Sequence, residues 1–199
     1  MSQSYYVLCS HPGELAFIDT LQDAFDLIKE QYGFEFKYAN YEQGAVGLGR
    51  HVYWETGKRC IINLVDDFSV PVCYLTVEAA TREEVTRIGG WLTDLLPIFS
   101  LPELQEEARN KMLDDPQALF RMALGTGEQA DPVSLEILRN GLQNDNDLVR
   151  FRAAAAVSLT EWPEFLPDLE SMKQQDPSPE VQEMVQLAIE ACRKRLPPQ

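Results

Sequence analysis

The sequence predicts an α+β domain followed by an all-α array of helical repeats. Three observations predict it. Over the first half, β-prone runs are interleaved with runs whose apolar residues recur at helical spacing. Beyond residue 100 almost nothing is β-prone. Two stretches of the second half also align with each other at an offset of 32 residues, from Val149 to Val181, as stacked repeats do.

The first element is Tyr5–Cys9 (YYVLC), a β-prone run closed by the turn cluster His11-Pro12-Gly13. From Glu14 to Glu30 the residues Phe17, Ile18, Leu21, Ala24, Phe25 and Ile28 form an apolar stripe. Asp19, Gln22, Asp23, Asp26 and Lys29 fill the opposite face, so this is an amphipathic helix, and Gly33 ends it. Four strand candidates follow: Phe34–Asn40, Val46–Glu55, Arg59–Val65 and Val70–Glu78. The link around Gly57 suits a tight hairpin and Asp66-Asp67-Phe68-Ser69 a slightly longer one. Such short links imply antiparallel pairing. A second amphipathic helix starts at Thr81, with Glu84 in capping-box position and Val85, Ile88, Leu92, Leu95 and Leu96 on its apolar face. Residues 1–98 therefore read as β-α-β-β-β-β-α, a mostly antiparallel sheet covered by two helices.

Pro97 and Pro102 bracket a change of pattern, which places a domain boundary near residue 100 and a helical domain over 101–196. Proline is tolerated in a first helical turn and not later, so Asp115-Pro116, Asp131-Pro132 and Asp176-Pro177 each mark a helix start. Asn146 and Ser178 occupy equivalent N-cap positions, and Asp147 falls on Pro179 at the first helical position. Ala156 falls on Ala188 and Val157 on Ile189. Each of these helices has a partner before it, at 131–142 and 163–174. The run Ala153 to Ala156 makes a helix thin enough to be approached from several sides, which predicts that leucine at Ala155 overpacks a helix contact.

With Leu138, Leu142, the Asp-rich turn, Val149, Arg150 and the alanine-rich helix, this half resembles the short bacterial HEAT-like repeats of the phycobilin lyase type. Leu166, Leu169, Asp176, Pro177, Glu180 and Val181 fit the same pattern, and 114–124 is a fainter copy with Arg121 in the place of Arg150. The resemblance covers about residues 101–195. It implies an α-solenoid in which Arg150 bonds a turn acid or the adjacent repeat. Gln182 stands in that place in the next unit, which implies a capping repeat and no continuous Arg–Asp ladder.

The chain of 199 residues carries a net charge of −15, from 7 basic and 14 acidic residues over 1–100 and 10 and 18 over 101–199. This acidity is spread through both halves and opposes phosphate backbones and anionic membranes. It favours a basic protein partner, although a solvated acidic surface with no partner at all is the commoner explanation of such a charge. No long apolar segment and no basic start suggest export, so a cytoplasmic location is expected. The widely spaced Cys9, Cys60, Cys73 and Cys192 are expected to be reduced, and with His11 and His51 isolated no metal site is expected.

Gly44, Gly47 and Gly49 do not fit a dinucleotide or P-loop spacing, and a bulged strand explains them better. In Gly49–Gly57, alternation puts Arg50, Val52 and Trp54 on one face and His51, Tyr53 and Glu55 on the other. His51 with Glu55 has the ingredients of an acid–base pair, yet no nucleophile or metal motif accompanies them, and a strand with one wet face suffices. Asp66-Asp67 reads as a turn.

These readings converge on a non-catalytic protein-interaction module, an adaptor, regulator or neutralising protein, with no cofactor. Its candidate contacts are Asp145, Glu161, Asp168 and Glu180, or on the sheet Arg50, His51 and Trp54; Arg150, Asp147 and Ala155 have structural roles. The resemblance alone suggests an alternative, a lyase or chaperone-like factor for a tetrapyrrole-carrying protein. A HEAT-like nucleic-acid enzyme is disfavoured by the charge.

Overall fold

A meander of four strands with a fifth added beside its last member forms the sheet of the N-terminal half. The computed structural model describes residues 1–8, 14–43, 49–57, 60–67 and 72–196, with side chains from residue 18 onward in the first helix. Within it the chain clusters into two units, Met1–Phe99 and Ser100–Gln199. The first holds β1 (Ser2–Val7), α1 (Glu14–Tyr32), β2 (Lys37–Gln43), β3 (Arg50–Thr56), β4 (Cys60–Asp67), β5 (Val72–Ala79) and α2 (Arg82–Leu95). Strand order is β1-β5-β4-β3-β2, with every neighbouring pair antiparallel.

Alternation decides which residues the helices cover. Val52, Trp54, Ile62, Leu64, Leu75 and Val77 are all buried, and they share a core with Leu21, Ala24, Phe25 and Ile28 of α1 and Val85, Ile88 and Leu92 of α2. Phe25 meets Trp54 edge-on at 5.4 Å and Phe36 at 4.9 Å, geometry that aromatic pairs prefer. Several strand limits differ from those the sequence predicts. β2 begins at Lys37 because Phe34 and Phe36, just past the left-handed Gly33 (φ 67°), are buried in this core. β1 begins three residues earlier than expected, at Ser2. Thr56 pairs with Cys60 across the Gly57 hairpin. Cys9, the His11–Gly13 turn, Phe17's side chain, Gly44, Gly47 and the turn after Asp67 lie outside the described residues.

Close approach fixes two glycines. A Cβ on Gly49 (φ 110°) would overlap the Asp66 backbone, so this glycine lets the start of β3 lie against the end of β4. A Cβ on Gly89 would overlap the Tyr6 ring, so α2 rests on β1 at that point. Thr81 caps α2 by accepting a hydrogen bond from the Glu84 N–H at 3.2 Å.

The second unit is wholly helical in its described part. It contains α3 (Leu101–Lys111), α4 (Gln117–Gly125), α5 (Pro132–Leu142), α6 (Asp147–Thr160), a single 3₁₀ turn (Pro163–Phe165), α7 (Leu166–Gln175) and α8 (Pro179–Lys194). Asp131, Asn146 and Ser178 cap α5, α6 and α8 by accepting from Ser134, Leu148 and Val181 N–H groups. α6 packs against α4, α5 and α8. Its burial is repeated 32 residues later: Val149 and Val181, Ala153 and Val185, Ala156 and Ala188, Val157 and Ile189, Thr160 and Cys192 are each at most 4% exposed. Ala154 is 0% exposed, whereas Gln186 in the equivalent place on α8 is partly exposed.

The alanines are small because three helices crowd α6. A Cβ on Gly141 of α5 would lie 2.9 Å from the Ala153 Cβ and 3.1 Å from Leu119 of α4. Within the run, Ala155 is the one nearest solvent at 9% exposure, while Ala153, Ala154 and Ala156 are at 0%. The site of largest overpacking is therefore moved from Ala155 to its neighbours. Ala154→Leu is expected to cost about 1–3 kcal/mol by chemical denaturation and Ala155→Leu clearly less. Equal costs would mean that α6 is not packed on the sides described.

Candidate functional site

Among the described residues a highly connected polar group of the second unit is Arg150, on the first turns of α6. Its Nε donates to Asp176 Oδ2 at 2.7 Å and its Nη2 to Asp176 Oδ1 at 3.1 Å. The remaining donor Nη1 reaches the carbonyls of Asn144 and Asp145, both at 2.9 Å. One guanidinium thus holds its own turn and the turn before α8, using the planar fork that suits bidentate carboxylate binding. The Arg150 and Asp176 side chains are 12% and 4% exposed. Burial alone would push the Asp176 carboxyl up, but hydrogen bonds from Arg150 and the Ser178 N–H, with the Arg150 charge, hold it below the usual carboxylate range.

The equivalent positions elsewhere vary this theme. Gln182, six residues after Asp176, donates to the Asp176 carbonyl at 2.6 Å, just as Arg150 does to Asn144 six residues before it. Arg121, six residues after Asp115, donates to that carboxylate at 2.6 Å and reaches back to Glu107 of α3 at 3.1 Å.

Beside the Arg150 cluster, Asp145, Asp147 and Glu180 line one shallow depression with Asn146, Pro177 and Ser178. Asp147 and Glu180 stand in the first turns of α6 and α8 and are exposed. The Asp147 carboxylate accepts from the Leu148 N–H at 2.8 Å, a helix-start role. Glu180 is held below its usual range by its own backbone N–H and the Ser178 hydroxyl.

Glu161 and Asp168 lie elsewhere and are engaged. Glu161 closes α6 in a left-handed conformation (φ 54°) and pairs with Arg195 at 3.4 Å. Asp168 accepts from Arg139 at 3.1 Å. These two therefore do not join the acidic group at the turns.

Sequence reading missed the exposed leucines. Leu148 and Leu159 on α6 are 50% and 40% exposed, and Leu187 on α8 is 50% exposed. Leu187 occupies the place equivalent to Ala155, so the outward stripe Leu148, Arg152, Ala155, Leu159 of α6 corresponds to Glu180, Met184, Leu187, Ala191 of α8. Exposed Glu183 and Glu190 flank it. The signal was available as a second apolar spacing on α6, one residue out of step with the buried set.

In the first unit the Arg50–Glu55 strand is divided as alternation requires. Arg50 bonds Asp66, its cross-strand partner, at 2.7 Å. His51 Nδ1 lies 3.2 Å from Asn63 Nδ2 and its ring stacks on Tyr53 at 6.0 Å. Tyr53 donates to Glu42 at 3.3 Å. His51 and Glu55 are not brought into a bonded pair by any contact described here. Trp54 is 2% exposed and belongs to the helix-covered core, which corrects its expected place on a partner surface. Its face was foreseen, but not that this is the face the helices bury.

Among the described residues no group of three or more His, Cys, Asp or Glu could hold a metal ion, and no helix is long and apolar enough to cross a membrane. Cys60, Cys73 and Cys192 are free and buried, and burial pushes their thiols up to about 11, 12 and 11. Such thiols act as small hydrophobic groups at neutral pH. No family model, curated protein or solved structure matches the chain.

Proposed function

We propose that this chain is a non-catalytic protein-interaction module whose helical half is a short HEAT-like solenoid that binds a basic partner segment. The 32-residue repetition of burial and the six-residue spacing from each turn to Arg121, Arg150 and Gln182 support the solenoid. The observation that carries the binding function is the outward stripe of α6 and α8. Leucines 40–50% exposed on neighbouring helices, edged by Asp147, Glu180, Glu183 and Glu190, combine apolar area with negative charge.

The test is retention of proteins from the native cell on the immobilised chain, compared with a Leu187→Glu, Glu183→Lys variant of the same fold. A partner is expected to be held by the parent, released as salt rises, and lost by the variant. A set of retained proteins identical for both chains would overturn the reading. Glu183 suits charge reversal because it is exposed and no described ion pair holds it, whereas reversing Glu161 or Asp168 would also remove their pairs with Arg195 and Arg139.

A further inference from the structure

We infer that the chain forms a two-fold homodimer by antiparallel pairing of β2 with β2 of a second copy. Among the described residues the sheet ends at β2, which pairs with β3 on one side only. All seven residues Lys37–Gln43 are exposed, unlike those of β3, β4 and β5. A strand in that position offers a row of backbone donors and acceptors to a further strand.

Its side chains suit a copy of itself. The register shift at Ala39 pairs Tyr38 with Trp54 and Tyr41 with Val52, so both tyrosines lie on the helix-covered side of the sheet. They are 62% and 46% exposed, a large aromatic area for an edge strand. Lys37 and Glu42 stand at opposite ends of the strand. Antiparallel pairing about the Ala39-Asn40 bulge sets each Lys37 opposite the partner's Glu42 on one face and each Tyr38 opposite the partner's Tyr41 on the other, whereas parallel pairing sets like charges together. Asn40 accepts from the Tyr41 N–H at 2.9 Å and donates to Glu42 at 3.1 Å, and on pairing the incoming strand replaces these short-range bonds.

The opposing force is the charge of −15 on each copy. Screening reduces it, so dimerisation strengthens with salt. This is opposite in sign to the salt response proposed for a basic partner, so the two readings fail separately.

The experiment is sedimentation equilibrium of the full chain across a hundredfold concentration range at low and high salt, together with oxidation of Asn40→Cys. A concentration-dependent dimer favoured by salt is expected, with Tyr41→Lys weakening it more than tenfold. Asn40→Cys, beside the two-fold axis, is expected to give a covalent dimer. Gln22→Cys on exposed α1 and the parent chain with its own four cysteines are expected to give little. A chain that stays monomeric throughout, or a dimer in which Asn40→Cys couples no faster than Gln22→Cys, overturns the proposal.

Discussion

Asp176→Ala is expected to destabilise the helical unit by about 3–5 kcal/mol, the range for removing one member of a buried ion pair. The substitution strips two charge-assisted bonds from a nearly buried guanidinium and one from the Ser178 N–H at the start of α8. Replacing both members, Arg150→Met with Asp176→Leu, is expected to recover much of the loss because no uncompensated charge remains. Denaturant titration followed by helical circular dichroism measures both. A cost below about 1 kcal/mol, the range of exposed pairs, would mean that solvent reaches the pair. The pH dependence has a definite sign. The folded-state pKa of Asp176 lies below its unfolded value, so its contribution is fully present above the unfolded value and is lost as pH falls through the folded one. Parent and Asp176→Asn stabilities should therefore converge in the acid range, at and below the usual carboxylate pKa, and remain separated at neutral pH.

The second large effect concerns two adjacent glycines that should respond in opposite directions. Gly89→Val drives a side chain into the Tyr6 ring and is expected to cost about 1–3 kcal/mol or more. Gly90 meets nothing within 4 Å and lies inside α2, so Gly90→Ala is expected to stabilise by about 0.5–1 kcal/mol through helix propensity. Tyr6→Ala should restore part of the loss in Gly89→Val. Melting temperatures of the four variants decide the matter: similar shifts at 89 and 90 would show that α2 does not rest on β1 there.

Legibility followed the range of the interaction. Helix α1 could be read from Leu21, Ala24, Phe25 and Ile28 because a 3.6-residue period is local. The antiparallel pairing of each strand with the next, from β2 through β5, could be read because the links between them are short. The polarity of burial was less legible: alternation separates Trp54 from His51 but does not say which face the helices take. Glu161 and Asp168 looked free because Arg195 and Arg139, their partners, lie far along the chain and leave no local trace. Gly89 and Gly141 were silent for the same reason, since the Tyr6, Ala153 and Leu119 atoms that exclude a Cβ come from other elements. Arg150 was found through its repeat position, which also drew attention to Asp176.

Arg195 imposes an order of events on synthesis. It donates to the carbonyls of Glu128 and Thr160 and pairs with Glu161, thereby tying the segment before α5 and the end of α6 to the end of α8. A nascent chain that has released α6 from the ribosome still lacks this fastening, and α6 still lacks the packing of α8. The β-sheet unit has by then acquired every strand and helix it needs. Folding during translation is thus sequential, with a completed N-terminal domain waiting on a helical half whose last turn closes it.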